Sequence, residues 1–283
     1  MATFGLYGQA ELTPLAAFAE GLRELGHRVV FRDHNFWAGE KENFDAIAIF
    51  GMRAHGRDIV EYYRAQGKPV IVIDHGYLKR VHVMGDYETG YFSVGVGGLG
   101  WVPTNAPSTD RFDVINPQIT RSKTRLVQRT ALILGQVPND ATHQMPAHDL
   151  ATFYECVAEE LREYGVKVKY RMHPLDPDRC LPKIDLDETE ELEDAIKSYD
   201  FVACINSNAG LMAIMSGKPC LLWRKSHFDE LAYRWPVNLR LLDCPSVTEI
   251  KAFLVRLCYA QWTAEEMRAG LPHRYLTSIG AIP

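Results

Sequence analysis

Short apolar runs alternate with amphipathic stretches along the first part of the chain. Phe4–Tyr7, Val29–Phe31, Ala46–Phe50 and Val70–Ile73 are apolar at nearly every position. Such runs predict strands covered on both faces, as in a parallel sheet. Leu15–Leu25 and Ile59–Ala65 carry apolar residues at helical spacing and predict the connecting helices. The alternation breaks over Gly85–Pro107, which is rich in glycine and aromatic residues and long for a simple connection. This stretch reads as a functional or capping loop, or else as a hairpin that packs Tyr91, Phe92 and Trp101 on a sheet edge.

The same rhythm returns further along. Ala131–Leu134, Val166–Tyr170, Phe201–Ile205 and Cys220–Trp223 predict strands, and Leu150–Tyr164, Glu188–Lys197, Ala209–Met215 and Val247–Tyr259 predict helices. The fold class is therefore α/β, with two Rossmann-like domains facing a cleft. The expected boundaries are 1–125, 126–265 and a terminal segment 266–283 that packs back on the first domain. Ligands in open α/β sheets bind at the carboxyl ends of the strands, so site residues should follow a strand.

Composition narrows the picture. At 283 residues, with 47% hydrophobic and 24% charged residues, the chain suits two packed domains. No run approaches the ~18 apolar residues of a membrane helix, and the start leads straight into an apolar strand, so a cytoplasmic protein is expected. The six cysteines include no C-x-x-C pair, and Cys204 and Cys220 read as small core residues. The net charge of −5 falls on the second half, and the densest basic patch is Arg121, Lys123, Arg125 and Arg129.

Four strand ends carry chemistry. After Val166–Tyr170 stand Arg171 and His173 in R-M-H-P. A guanidinium fork and an imidazole suit a phosphate, and a loop histidine that only caps a helix is the plainer alternative. After Phe201–Ile205 come Asn206, Ser207 and Asn208, which open a helix as N-caps and leave room for an anion. Gly135 and Gln136 follow Ala131–Leu134, either as a close backbone approach to a ligand or as an ordinary turn. Asp74 and His75 follow Val70–Ile73, ahead of Gly76 and Tyr77. Either side chain could take a hydroxyl proton, or the segment could be a turn. Gln9 belongs to the same rim. The pairs Asp176 with Asp178 and Asp185 with Asp187 read as solvated.

Together, Q-V-P-N-D at 136–140, R-M-H-P at 171–174 and I-N-S-N-A-G-L-M-A-I-M-S-G-K-P at 205–219 resemble the motifs of capsular polysaccharide biosynthesis transferases. These are the Kdo-transferase-like glycosyltransferases of GT-B type. The resemblance implies an enzyme that moves a sugar from a nucleotide sugar, UDP- or CMP/CDP-linked, to a hydroxyl. It also implies that no metal or other cofactor is required. Arg171, His173, Asn206, Ser207, Asn208, Gly135 and Gln136 would bind the donor. The family's acidic D/E-D/E-G-aromatic motif corresponds to Asp74-His75-Gly76-Tyr77, so His75 stands where a carboxylate base is expected. His75 is then the first choice of base and Asp74 the second.

The stretch around Tyr91, Trp101 and Asp110-Arg111-Phe112 is similar to N-terminal regions of phage-encoded GT-B proteins. That likeness implies a DNA-modifying enzyme acting on 5-hydroxymethylcytosine. Lys79, Arg80 and the patch Arg121, Lys123, Arg125 and Arg129 would meet duplex DNA phosphates, and Tyr87, Tyr91, Phe92 or Trp101 would stack on a base. A surface-glycan transferase and a non-transferring nucleotide-sugar-binding protein or epimerase are the alternatives.

Overall fold

The computed structural model describes residues 1–39, 42–53, 55–80, 87–120, 129–176 and 181–283. In chain order the elements are β1 (Thr3–Tyr7), α1 (Thr13–Glu24), β2 (Arg28–Arg32), β3 (Ala46–Phe50), α2 (Gly56–Ala65), β4 (Val70–His75), β5 (Tyr91–Val96) and α3 (Asp110–Ile115). There follow β6 (Thr130–Leu134), α4 (Ala147–Glu163), β7 (Lys167–Arg171), α5 (Leu192–Ser198), β8 (Phe201–Cys204), α6 (Ala209–Met215), β9 (Cys220–Leu222) and β10 (Tyr233–Arg234). Last come α7 (Val247–Cys258), β11 (Gln261–Thr263), α8 (Ala264–Arg268) and α9 (Leu271–Ser278). The chain divides into two units, Met1–Asn116 with Val255–Pro283, and Pro117–Leu254. The chain rejoins its first unit at Val255, within α7, and β11 follows after a turn at Tyr259–Ala260; the expected terminal segment is 266–283.

The first unit is a six-stranded sheet of order β11-β5-β4-β3-β1-β2. The strands β1 to β4 are parallel to one another, whereas β5 is antiparallel to both β4 and β11. Successive side chains of a strand point to opposite faces, so one strand feeds two cores. Phe4, Leu6, Ile71, Ile73 and Phe92 pack against α1, α8 and α9 on one face. Tyr7, Ile47, Ile49, Val70 and Val72 pack against α2 on the other. Leu15, Phe18, Ala19 and Leu22 form the buried stripe of α1, with i, i+3, i+4, i+7 spacing. A Cβ on Gly21 would stand 2.0 Å from the carbonyl of Met267, so α1 and α8 meet backbone to backbone.

Gly85–Pro107 is not a capping loop in its described part. Residues Tyr91–Val96 form an internal strand covered by β11, and Phe92 is fully buried. Glycines hide the strand pattern here, and one of them has a packing task. A Cβ on Gly95 would lie 2.7 Å from Cβ of Trp101, so the glycine seats the indole against the core.

The second unit is a five-stranded parallel sheet of order β10-β9-β8-β6-β7. The central strands β6 and β8 are buried along their apolar runs, whereas the edge strand β7 alternates exposed Lys167 and Lys169 with buried Val168 and Tyr170. Leu150, Tyr154, Val157, Ala158 and Leu161 of α4 cover one face. Buried Leu211 and Ile214 of α6, with Cys204 and Cys220, lie in the interior as well. The two sulfurs are 3.9 Å apart as free thiols.

Candidate functional site

In the second unit the strands β7, β6 and β8 are neighbours running in one direction, so the loops after them leave one edge of the sheet. Gln136 and Asn206 tie two of these loops together. Gln136 Oε1 accepts the Asn206 backbone N–H at 3.0 Å, and Gln136 Nε2 donates to Asn206 Oδ1 at 2.9 Å. Thr142 donates to the same Oδ1, and Ser226 donates to the Asn206 carbonyl. Gln136 is 7% exposed, and these reciprocal bonds satisfy both ends of its amide. Gln136 and Asn206, expected to contact the donor, thus form a brace that fixes the loop tips.

Arg171 is likewise engaged within the unit. Its guanidinium pairs with Asp187 at 3.1 Å and donates to the carbonyls of Thr189 and Glu190. Tyr199 and Thr189 also donate to Asp187, and these bonds with the Arg171 contact hold its carboxyl below the usual range against the opposing effect of burial. Asp187 and Asp176 are buried, not solvated as the pattern implied. Gly135 also has a packing reason, since a Cβ there would lie 2.4 Å from the Tyr170 hydroxyl.

His173 and Ser207 stand differently. His173 Nδ1 accepts the Leu175 backbone N–H at 3.1 Å, which places the proton of the neutral ring on Nε2, as a donor. Ser207 Oγ accepts the Ala209 backbone N–H at 3.3 Å, and Asn208 takes the cap position of α6. Gly210 in that helix touches Cys220 and Phe228 so closely that a Cβ would lie 2.6 Å from the Cys220 sulfur. Packing therefore holds this turn in place. All three side chains are half-buried at the carboxyl edge of the sheet.

In the first unit Asp74 and His75 end β4 and, as consecutive strand residues, point to opposite faces. They do not form a dyad. The His75 ring lies among Phe50, Tyr87 and Phe92, with centroids 6.0, 6.3 and 6.5 Å away. Its Nδ1 is buried without a hydrogen-bond partner among the described residues. Burial first, then the positive fields of Arg80 and Arg53, push the imidazole down to about 4. His75 is therefore neutral at physiological pH and able to accept a proton. Asp74 Oδ1 accepts the His75 backbone N–H at 2.7 Å, and its charge helps raise the Tyr77 phenol, after burial.

Of the other residues on this side, Gln9, Lys79 and Arg80 are exposed. Tyr91 is 9% exposed against Ile115 and Cys258, and Phe92 is fully buried, so neither presents a ring face to a base. Trp101 packs on the core. Arg129 is half-buried, whereas Arg121, Lys123 and Arg125 lie outside the described residues. Sequence reading missed Gln261. Its Oε1 accepts the N–H groups of Tyr77 at 3.0 Å and Leu78 at 2.9 Å, so β11 fixes the turn that follows His75. Nothing local could reveal this, because the partners are some 184 residues apart.

No family model matches the chain, and no curated protein does so. Solved structures do. The KpsC beta Kdo 2,4 transferase of Thermosulfurimonas dismutans is 14% identical over 90% of both chains, with a TM-score of 0.54. The KpsC beta Kdo 2,7 transferase of the same organism is 13% identical over 96% of this chain and 99% of its own, also with a TM-score of 0.54. At these identities the likeness shows the fold alone. This chain has the two-domain α/β fold of the GT-B glycosyltransferases.

Proposed function

We propose that this chain is a glycosyltransferase that takes a sugar from a nucleotide-sugar donor and passes it to a hydroxyl. The observation that carries the reading is the braced carboxyl edge of the second unit. There the Gln136–Asn206 lock holds two loops beside His173 Nε2–H and the Ser207–Asn208 turn. Preorganised donors of this kind suit a phosphate in the ground state and, still more, the charge that builds on a departing nucleotide. His173, Ser207 and Asn208 are assigned to the donor phosphates. Arg171, Gln136 and Asn206 keep the edge in shape, and no metal is assigned a part.

In the reaction, the acceptor oxygen forms a bond to the anomeric carbon as the bond to the nucleotide phosphate breaks. The phosphate leaves with the bonding electron pair against His173 and Ser207, and the hydroxyl proton passes to a general base. We assign that role to His75 on its own surroundings alone, as a neutral, half-buried imidazole. For the acceptor we favour an anionic molecule, because Arg53 and Arg80 lie close enough to affect His75. A 5-hydroxymethylcytosine base in DNA meets that requirement and is the leading assignment. An acidic surface glycan is the second, favoured by the fold shared with the Kdo transferases.

The test is incubation of the protein with a panel of UDP-, CDP- and CMP-sugars and either hydroxymethylcytosine DNA or acidic oligosaccharides, with products read by mass spectrometry. A mass increase of one sugar on either acceptor supports the reading. Donor binding without transfer to any hydroxyl would leave the protein a nucleotide-sugar binder or an epimerase instead.

A further inference from the structure

Two arginines flank His75 from separate loops. On one side β3 runs beside β4, with Phe50 opposite Ile73, and the N–H of Gly51 bonds to the Ile73 carbonyl at 2.7 Å. Arg53 lies two residues beyond that bond. On the other side the chain turns after His75, and Arg80 bridges to Tyr91, whose neighbour Phe92 stands opposite His75. Both arginines are exposed, and among the described residues neither pairs with a carboxylate. Lys79 beside Arg80 is exposed as well. Two cations on the loops to either side of β4, neither in an ion pair among the described residues, repel one another, and an anion held by both removes that cost.

We infer that Arg53 and Arg80 form an anion subsite beside His75 that takes a phosphodiester or a carboxylate carried by the acceptor. The word acceptor rests on the transferase reading, whereas the anion site stands on the first unit alone. The subsite explains how a proton acceptor in an aromatic pocket is matched to its substrate: the anion anchors the molecule, and its hydroxyl comes to the imidazole. A planar carboxylate and a tetrahedral phosphodiester each present a pair of anionic oxygens that a guanidinium fork can hold.

The test uses the full chain and inorganic phosphate as the first probe. Phosphate is titrated while the His75 ring resonances are followed by NMR. A saturable shift is expected in the wild type and in His173→Ala, and its absence in Arg53→Gln/Arg80→Gln. A hydroxymethylcytosine duplex and a fluorescent oligogalacturonide then distinguish the source. Whichever is the partner should bind about tenfold more weakly for each arginine lost. Arg64→Gln, which removes an exposed charge at the far end of α2, should bind as the wild type does. For the duplex, each loss should also lower the salt slope of log K by roughly 1.

A phosphate response at His75 that survives the double substitution overturns the inference. So does binding of both probes that is unchanged by it. Loss of donor binding in an otherwise responsive protein would strike the transferase reading and leave the anion subsite standing.

Discussion

Arg171 directs its guanidinium at Asp187 and at the carbonyls of Thr189 and Glu190, two residues from a histidine whose Nε2 carries a proton. The two should fail differently when replaced. Arg171→Met strands a buried carboxylate and should cost roughly 3 kcal/mol in urea unfolding. His173→Ala should cost less than about 0.5 kcal/mol, as substitutions outside the core do, yet weaken donor binding at least tenfold. His75 makes a second residue-scale prediction. Because its pKa lies near 4, the His75-dependent rate should stay level from about pH 8 to pH 5 and fall only near pH 4, where the base becomes protonated. An ordinary histidine would place the inflection near pH 6.5. The spacing R-M-H-P shows that both residues leave a strand end. It does not show that Asp187, 16 positions on, claims the arginine.

Helix α9 is held against the first sheet partly by a ring contact. The rings of His27 and His273 are 4.5 Å apart, and Phe4 meets both edge-on. Burial, followed by the His27 and Arg274 charges, pushes His273 down to about 4, and burial with the N-terminal charge lowers His27. In each case the fold favours the neutral ring. The stabilisation is therefore complete above the unfolded pKa of about 6.5 and is lost as pH falls toward 4. Unfolding free energy should drop between pH 7 and pH 5 by up to about 2 kcal/mol for His273, and His273→Phe should remove that part of the drop. A second element-scale test is Gly135→Ala, whose Cβ would press on the Tyr170 hydroxyl and the Arg171 carbonyl. It should cost about 1–3 kcal/mol by overpacking.

The strands with continuous apolar runs were legible because burial on both faces leaves a plain pattern, and Ala46–Phe50 coincides with its predicted bounds. Tyr91–Val96 was not, since its glycines and its partner strand β11 at the far end of the sequence leave no local trace. The same limit applied to the chemistry. Motif order located the loops after β6, β7 and β8, but only the fold shows that Gln136 and Asn206 bind each other.

At the scale of the molecule, the two sheets differ in make. The second unit brings three parallel strand ends to one edge and braces two of the loops that follow, and the first carries the His75 imidazole, with Arg53 and Arg80 exposed on loops nearby. The net charge of −5 speaks against a general polyanion-binding surface, so any acidic acceptor is met by local groups. The central claim is that the second unit binds a nucleotide sugar through His173 and Ser207. Calorimetric titration of the full chain with UDP-, CDP- and CMP-sugars tests it most directly. The account predicts saturable binding of one donor class, weakened at least tenfold by His173→Ala or Ser207→Ala at an unchanged melting temperature. Binding of no donor, or equal binding by these variants, would contradict it.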